Sequence, residues 1–95
     1  MSAYVVVDVH VKDPGAYEEY RRLVPPTIAA YDGRYLSRGG RTEVLEGEWT
    51  PERFVILEFP SLERAKEWLH SPEYGAIKHI RHRYATTSMV VTEGL

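Results

Sequence analysis

Asp8 and His10 stand two residues apart in AYVVVDVHV, a run rich in β-branched residues. On an extended strand that spacing puts both side chains on one face. A general base and the carboxylate that orients it are arranged in this way. Glu58, in RFVILEFP, could join them from a neighbouring strand. A second group is SRGGR, residues 37–41. Glycine permits positive φ and close backbone approach, so Gly39 and Gly40 could bend the chain and bare N–H groups beside Arg38 and Arg41. Guanidinium and amide together suit a carboxylate or phosphate. Trp68 and Tyr74 bracket His70-Ser71-Pro72 and could stack a flat ligand. The site these residues suggest uses Arg38, Gly39, Gly40, Glu58, Trp68 and Tyr74 to bind an acidic or oxygenated small molecule. His10, oriented by Asp8, would move a proton. Each feature also has a plainer reading: a bend in a strand, polar residues at a wet strand end, aromatics of a core.

Other groupings carry less chemistry. His79 and His82 lie three apart in KHIRHR, a helical spacing at which two imidazoles can share a metal. No third ligand accompanies them, and positive charge at a helix C-terminus complements the dipole. No metal site and no cofactor is assigned. Glu43 and Glu46, three apart on an expected strand, face opposite ways. Nucleophile elbow, phosphate loop, dinucleotide fingerprint and haem motif are all missing.

The elements that must position these residues follow from periodicity. Residues 3–11 alternate, with Val5, Val7, Val9 and Val11 on one face and Tyr4, Val6, Asp8 and His10 on the other. Asp13 then caps a helix whose first residue is Pro14. Tyr17, Tyr20, Leu23 and Val24 form its apolar stripe. Pro25-Pro26 predicts a break or kink, followed by a last turn with Ile28 and Tyr31 and a left-handed stop at Gly33. Segments 34–38 and 42–48 read as two parts of one strand, bent or bulged at Gly39-Gly40. Phe54–Phe59 is a third strand, with Val55, Leu57 and Phe59 opposed to Phe54, Ile56 and Glu58. Ser61 caps a second helix carrying Leu62, Ala65, Trp68 and Leu69. Ser71-Pro72-Glu73 restarts a helix with Tyr74, Ile77 and Ile80. ATTSMVVTEGL closes the chain as a strand.

Strand, helix, strand, strand, helix, strand is the α+β, ferredoxin-like order: one antiparallel sheet with helices on one face. The helices can cover only one side. Tyr4, Val6, Phe54 and Ile56 on the other side make an apolar patch that a monomer rarely exposes. A second copy packed sheet to sheet, a homodimer, is the expected solution. At 95 residues the chain is one domain with a modest core of its own. A net charge of −2, with both signs interspersed, argues against nucleic-acid and membrane-surface partners. Without cysteine there is no disulfide, thiol catalysis or zinc–thiolate site. A domain of this size without such staples is expected to be cytoplasmic or helped by oligomerisation. The N-terminal run, without a basic start and cut by Asp8 and His10, reads as neither a signal peptide nor a membrane span.

VPPTIAAYDGRYLSRGG, EVLEGEWTPERFVILEFPS, EWLHSPEY and the closing EGL, in this order and spacing, resemble the domain-of-unknown-function 1330 family. The resemblance spans nearly the whole chain. The family more often has two glycines where this chain has Asp32-Gly33, a change that a turn should tolerate. The resemblance implies a dimeric α+β barrel, related in fold to small monooxygenases and muconolactone isomerase, and brings no reaction with it. Two functions are therefore expected: recognition or conversion of a small organic molecule between sheet and helices, or a non-catalytic dimeric sensor, structural or stress-related module. Convergent polar groups in a closed pocket, with a strongly desolvated titratable group, would mark the enzyme.

Overall fold

The alternating row at the N-terminus forms β1 (Ala3–Val11), with Val5, Val7 and Val9 buried as their spacing requires. The computed structural model describes residues 1–95. After β1 come α1 (Pro14–Ala30), β2 (Arg34–Arg38), β3 (Arg53–Phe59), α2 (Leu62–Leu69), α3 (Pro72–Tyr84) and β4 (Ala85–Glu93). The sheet is antiparallel throughout, in the order β2-β3-β1-β4. This is the ferredoxin-like βαββαβ topology, with α2 and α3 sharing the place of the second helix.

The caps are those the sequence predicts. Asp13 accepts from the Ala16 N–H at 3.2 Å, Ser61 from Arg64 at 3.0 Å and Ser71 from Tyr74 at 3.1 Å. Each satisfies an amide that the first helical turn leaves unpaired. The inner face of the sheet then packs on the helices. Phe59, Trp68 and Tyr74 are the largest fully buried side chains. Trp68 lies 4.3 Å from Tyr74 and 5.5 Å from Phe59 between ring centroids.

Three expectations fail, each for a physical reason. The break at Pro25-Pro26 does not occur: α1 is continuous from Pro14 to Ala30. Pro25 has no N–H to give the Arg21 carbonyl four residues back. The Arg38 guanidinium, on the neighbouring strand, donates to that carbonyl instead. Helix and strand edge are thus joined at the point where the helix loses its own bond.

The left-handed stop is Asp32, with φ of 64°, and not Gly33. The Asp32 N–H donates to Ala29 and that of Gly33 to Ile28, at 3.0 and 2.9 Å. Together they form the paired terminus in which the left-handed residue is usually glycine. Gly33 is needed for space: a Cβ there would lie 2.5 Å from the Phe59 ring and 2.8 Å from Ile28 Cγ2.

No strand forms over 42–48. The bulge lies earlier, at Leu36, between the pairs Tyr35–Leu57 and Ser37–Ile56. Gly39, with φ of 67°, then turns the chain out of the sheet as its N–H bonds the Phe54 carbonyl; Gly40 has no positive φ. Residues 41–50 are all exposed, Val44 and Leu45 included. Val44 and Leu45 are adjacent and would point to opposite sides of a strand, so the segment has no single apolar face to bury and is a loop.

Candidate functional site

The sheet separates the residues that the sequence suggested for one pocket. Asp8 pairs in register with Phe54, whereas Arg38 pairs with Val55, so their side chains lie on opposite faces. Asp8 and His10 are on the outer face, away from the helices. Glu58 shares that face but pairs with Tyr4, four residues along β1 from Asp8. It binds Arg34 on the adjacent strand, Nε to Oε1 at 2.7 Å. The grouping of Asp8, His10 and Glu58 is therefore corrected to Asp8, His10 and Glu52, and it does not share a pocket with Arg38.

Asp8 is buried and accepts three hydrogen bonds. The Trp49 indole N–H reaches Oδ2 at 2.9 Å, the Glu52 amide reaches Oδ1 at 3.1 Å, and His10 Nε2 lies 3.2 Å from Oδ2. His10 Nδ1 lies 2.9 Å from Glu52. Trp49 also meets the Phe54 ring edge to face at 5.5 Å. This cluster fastens the far end of the 39–52 loop to the sheet.

Burial alone would raise the Asp8 carboxyl, but the bonds from Trp49, Glu52 and His10 outweigh it and hold the group below its ordinary value of 3.8. A depressed folded-state value means that the cluster stabilises the protein above the ordinary carboxylate range. That contribution disappears as pH falls through the folded-state value. Asp8→Ala is expected to cost about 1–3 kcal/mol at pH 7, because three donors lose their acceptor. Urea titrations at pH 7 and pH 3 should show the difference between wild type and variant shrinking at the lower pH. A variant as stable as wild type at pH 7 would contradict this role.

The inner face holds the cavity. It measures about 280 Å³ and lies between the sheet and the helices. Val7, Val9, Val55, Leu57 and Met89 form its floor, and Tyr17, Tyr20, Val24 and Ile28 of α1 face them. Trp68, Arg38 and Gly39 line it, as the sequence suggested; Gly40, Glu58, Asp8 and His10 do not. Tyr74 stands behind the lining, completely buried, against Trp68 and Tyr20.

The residue that sequence reading missed is Arg81. It lines the cavity and is buried, with 7% of its surface exposed. Its Nε donates to the Tyr74 hydroxyl at 2.9 Å, Nη1 donates to Thr87 and Nη2 lies 3.0 Å from His82 Nε2. No carboxylate pairs with it. In KHIRHR it reads as one of several basic residues closing a helix. Only its phase on the stripe of Tyr74, Ile77 and Ile80, seven residues after Tyr74, marks it as inward-facing.

Four arginines line the cavity, Arg21, Arg38, Arg53 and Arg81, and no acidic residue does. Arg21 and Gly39 are exposed and sit at the mouth. Arg38 lies over the Tyr35 ring at 4.7 Å and Arg53 over Tyr17 at 5.9 Å. Burial, with Tyr74 adding to it, pushes the Tyr17 phenol up to about 12 against the pull of Arg81 and Arg53. Burial raises Tyr20 much further and also raises Tyr35. All three phenols are neutral donors near pH 7. The cavity thus combines an apolar body with a lining rich in hydrogen-bond donors and free of negative charge.

A four-stranded antiparallel sheet with helices on one face and a cationic, aromatic cavity beneath them defines a small ferredoxin-like α+β protein. The chain belongs to the family described as domain of unknown function (DUF1330), whose profile matches residues 2–95. No curated protein matches it. A protein of unknown function from Rhodopseudomonas palustris superposes with a TM-score of 0.78 at 19% identity, covering 99% of this chain and 82% of its own. A dimeric ferredoxin-like protein of unknown function from Jannaschia sp. CCS1 gives 0.71 at 12% identity, with 99% and 100% covered. SnoaB, a cofactor-independent oxygenase from Streptomyces nogalater, gives 0.59 at 12% identity, with 99% and 91% covered. At these identities the likeness is one of fold.

Proposed function

We propose that the protein binds a small organic anion, with an apolar or aromatic body, in the cavity between sheet and helices. One observation carries this reading: four guanidinium groups line a largely apolar cavity that contains no carboxylate. An unpaired buried cation is costly, and an anionic ligand would supply its missing partner. Arg38 and Gly39 belong to the mouth in this reading, and Trp68 is a wall. Asp8 and His10 act as the loop's fastening. Glu58 and Gly40 have no part in binding.

Benzoate and its neutral isostere benzamide test the proposal by calorimetric titration. Benzoate is expected to bind about 10–100-fold more tightly, the range of a charge-assisted hydrogen bond. Arg53→Gln should remove most of that difference. Equal affinity for the two compounds would overturn the reading.

The outer face supports the second part of the proposal, a homodimer. In register, Val6 pairs with Ile56 on one side and Val90 on the other. Val90 is 62% exposed. Trp49 covers only the Asp8 end of this face, and a second copy set sheet to sheet would cover the rest. The Jannaschia protein, similar in fold, is dimeric.

A further inference from the structure

We propose that the Tyr20 hydroxyl donates a hydrogen bond to an enolate or phenolate oxygen of the bound molecule, and that Arg81 orients it for this through Tyr74. The inference rests on the cavity reading above and names the ligand class: a small, flat molecule with an ionisable enol or phenol.

The argument is a count of protons. Arg81 Nε carries one proton and gives it to the Tyr74 oxygen at 2.9 Å. The Tyr74 and Tyr20 oxygens are 2.7 Å apart, so one of the two phenols donates to the other. Suppose Tyr20 were the donor. The Tyr74 proton would then point into a fully packed environment, since Tyr74 has no exposed surface and no further hydrogen-bond partner. A buried unpaired donor costs about 1–3 kcal/mol. The other order, Arg81 to Tyr74 and Tyr74 to Tyr20, leaves no unpaired proton in the packed interior behind the cavity wall. The Tyr20 proton is then the one left over, and Tyr20 is the member of the chain that, with Arg81, lines the cavity.

A cation at the start of the chain polarises both phenols in the same sense, and hydrogen bonds in series strengthen one another. Tyr20 therefore presents a strong, fixed donor. Burial keeps its phenol neutral, so it does not act as a base. The oxygen it would meet has no carboxylate nearby to repel it. The titratable and charged groups that line the cavity with Tyr20 are Tyr17, Tyr35, Arg21, Arg38, Arg53 and Arg81, all of them donors. Negative charge on that oxygen is favoured over the neutral form, and preorganised donors are most effective when aimed at such developing charge. Trp68 offers the flat wall against which a conjugated ring would lie.

The probe is 4-nitrophenol, whose neutral and ionised forms absorb at different wavelengths. Entry is read from the NMR shift of the Trp68 indole N–H. In the wild type, bound 4-nitrophenol is expected to ionise at least about tenfold more readily than in water. Tyr20→Phe should abolish about tenfold of that preference, and Tyr74→Phe should reduce it in the same direction. Entry with an ionisation that Tyr20→Phe leaves unchanged overturns this inference and spares the cavity reading. Exclusion of 4-nitrophenol from a cavity that takes benzoate does the same, whereas failure of both compounds to bind overturns both. A measurement on the unaltered protein does not depend on how the variants fold. With tyrosines labelled at Cζ, the deuterium isotope shift should reveal a slowly exchanging hydroxyl proton on Tyr74 and a faster one on Tyr20. The reverse order overturns the proposal.

Discussion

Trp68→Ala is expected to destabilise the protein by about 3–5 kcal/mol, the range for deleting a large buried aromatic. Trp68 is 2% exposed, and its ring is stacked between Phe59 of β3 and Tyr74 of α3. Its indole N–H donates to the Thr27 hydroxyl at 3.1 Å, and Thr27 in turn donates to the Val24 carbonyl. One side chain therefore ties α2 to β3, α3 and α1 together. Small domains have only about 5–15 kcal/mol of stability in total. A domain of this size loses about 4–8 °C of Tm for each kcal/mol. Thermal and urea unfolding should place the variant near the limit of folding at 37 °C. A loss under about 1 kcal/mol would mean that the surrounding core collapses into the space, which the rigid Phe59 and Tyr74 rings make hard.

Ile56→Asp is expected to weaken self-association by at least about 100-fold. Ile56 lies at the centre of the outer face, paired with Val6 on β1 and with Ser37 on β2. It is only half-buried in the single chain, so a carboxylate there can stay hydrated while the monomer keeps its fold. In a sheet-to-sheet dimer the same carboxylate would be buried without a partner, at a cost of several kcal/mol. Light scattering or sedimentation at micromolar concentration should report two chains for the wild type and one for the variant. A monomeric wild type would remove the homodimer from the reading, and a variant that remains dimeric would move the interface off this face.

The order of elements was legible because its signals are local. Asp13-Pro14, Ser61 and Ser71-Pro72 each mark a helix start by the chemistry of one or two residues, and the valines of β1 state their own period. The failures share a different cause. Pro25-Pro26 reads as a break only if the helix must supply every carbonyl with a partner from its own backbone; Arg38, on another element, supplies one. Residues 42–48 read as a continuation of the strand before the glycines, but Val44 and Leu45, adjacent in the chain, give that continuation no face to bury, and Gly39 turns the chain away first. The candidate site split for a similar reason. Periodicity puts Asp8 and His10 on one face and leaves open which face Arg38 shares, because the bulge at Leu36 shifts the parity of β2. Arg81 was hidden by its company, a basic residue among basic residues. Its burial depends on Tyr74 and Thr87, which only the folded chain brings to it.

The 39–52 loop leaves the sheet at Gly39 and is tied back at Trp49 and Glu52, with the exposed residues between them making no pairing with the sheet. Its ends are therefore fixed independently of its length. Doubling such a loop costs only about 0.6 kcal/mol in closure entropy. Chain added between Gly40 and Glu48 would leave the cavity mouth, the Asp8 fastening and every strand register as they are. In the laboratory this is where a reporter domain could be spliced in to watch the cavity fill.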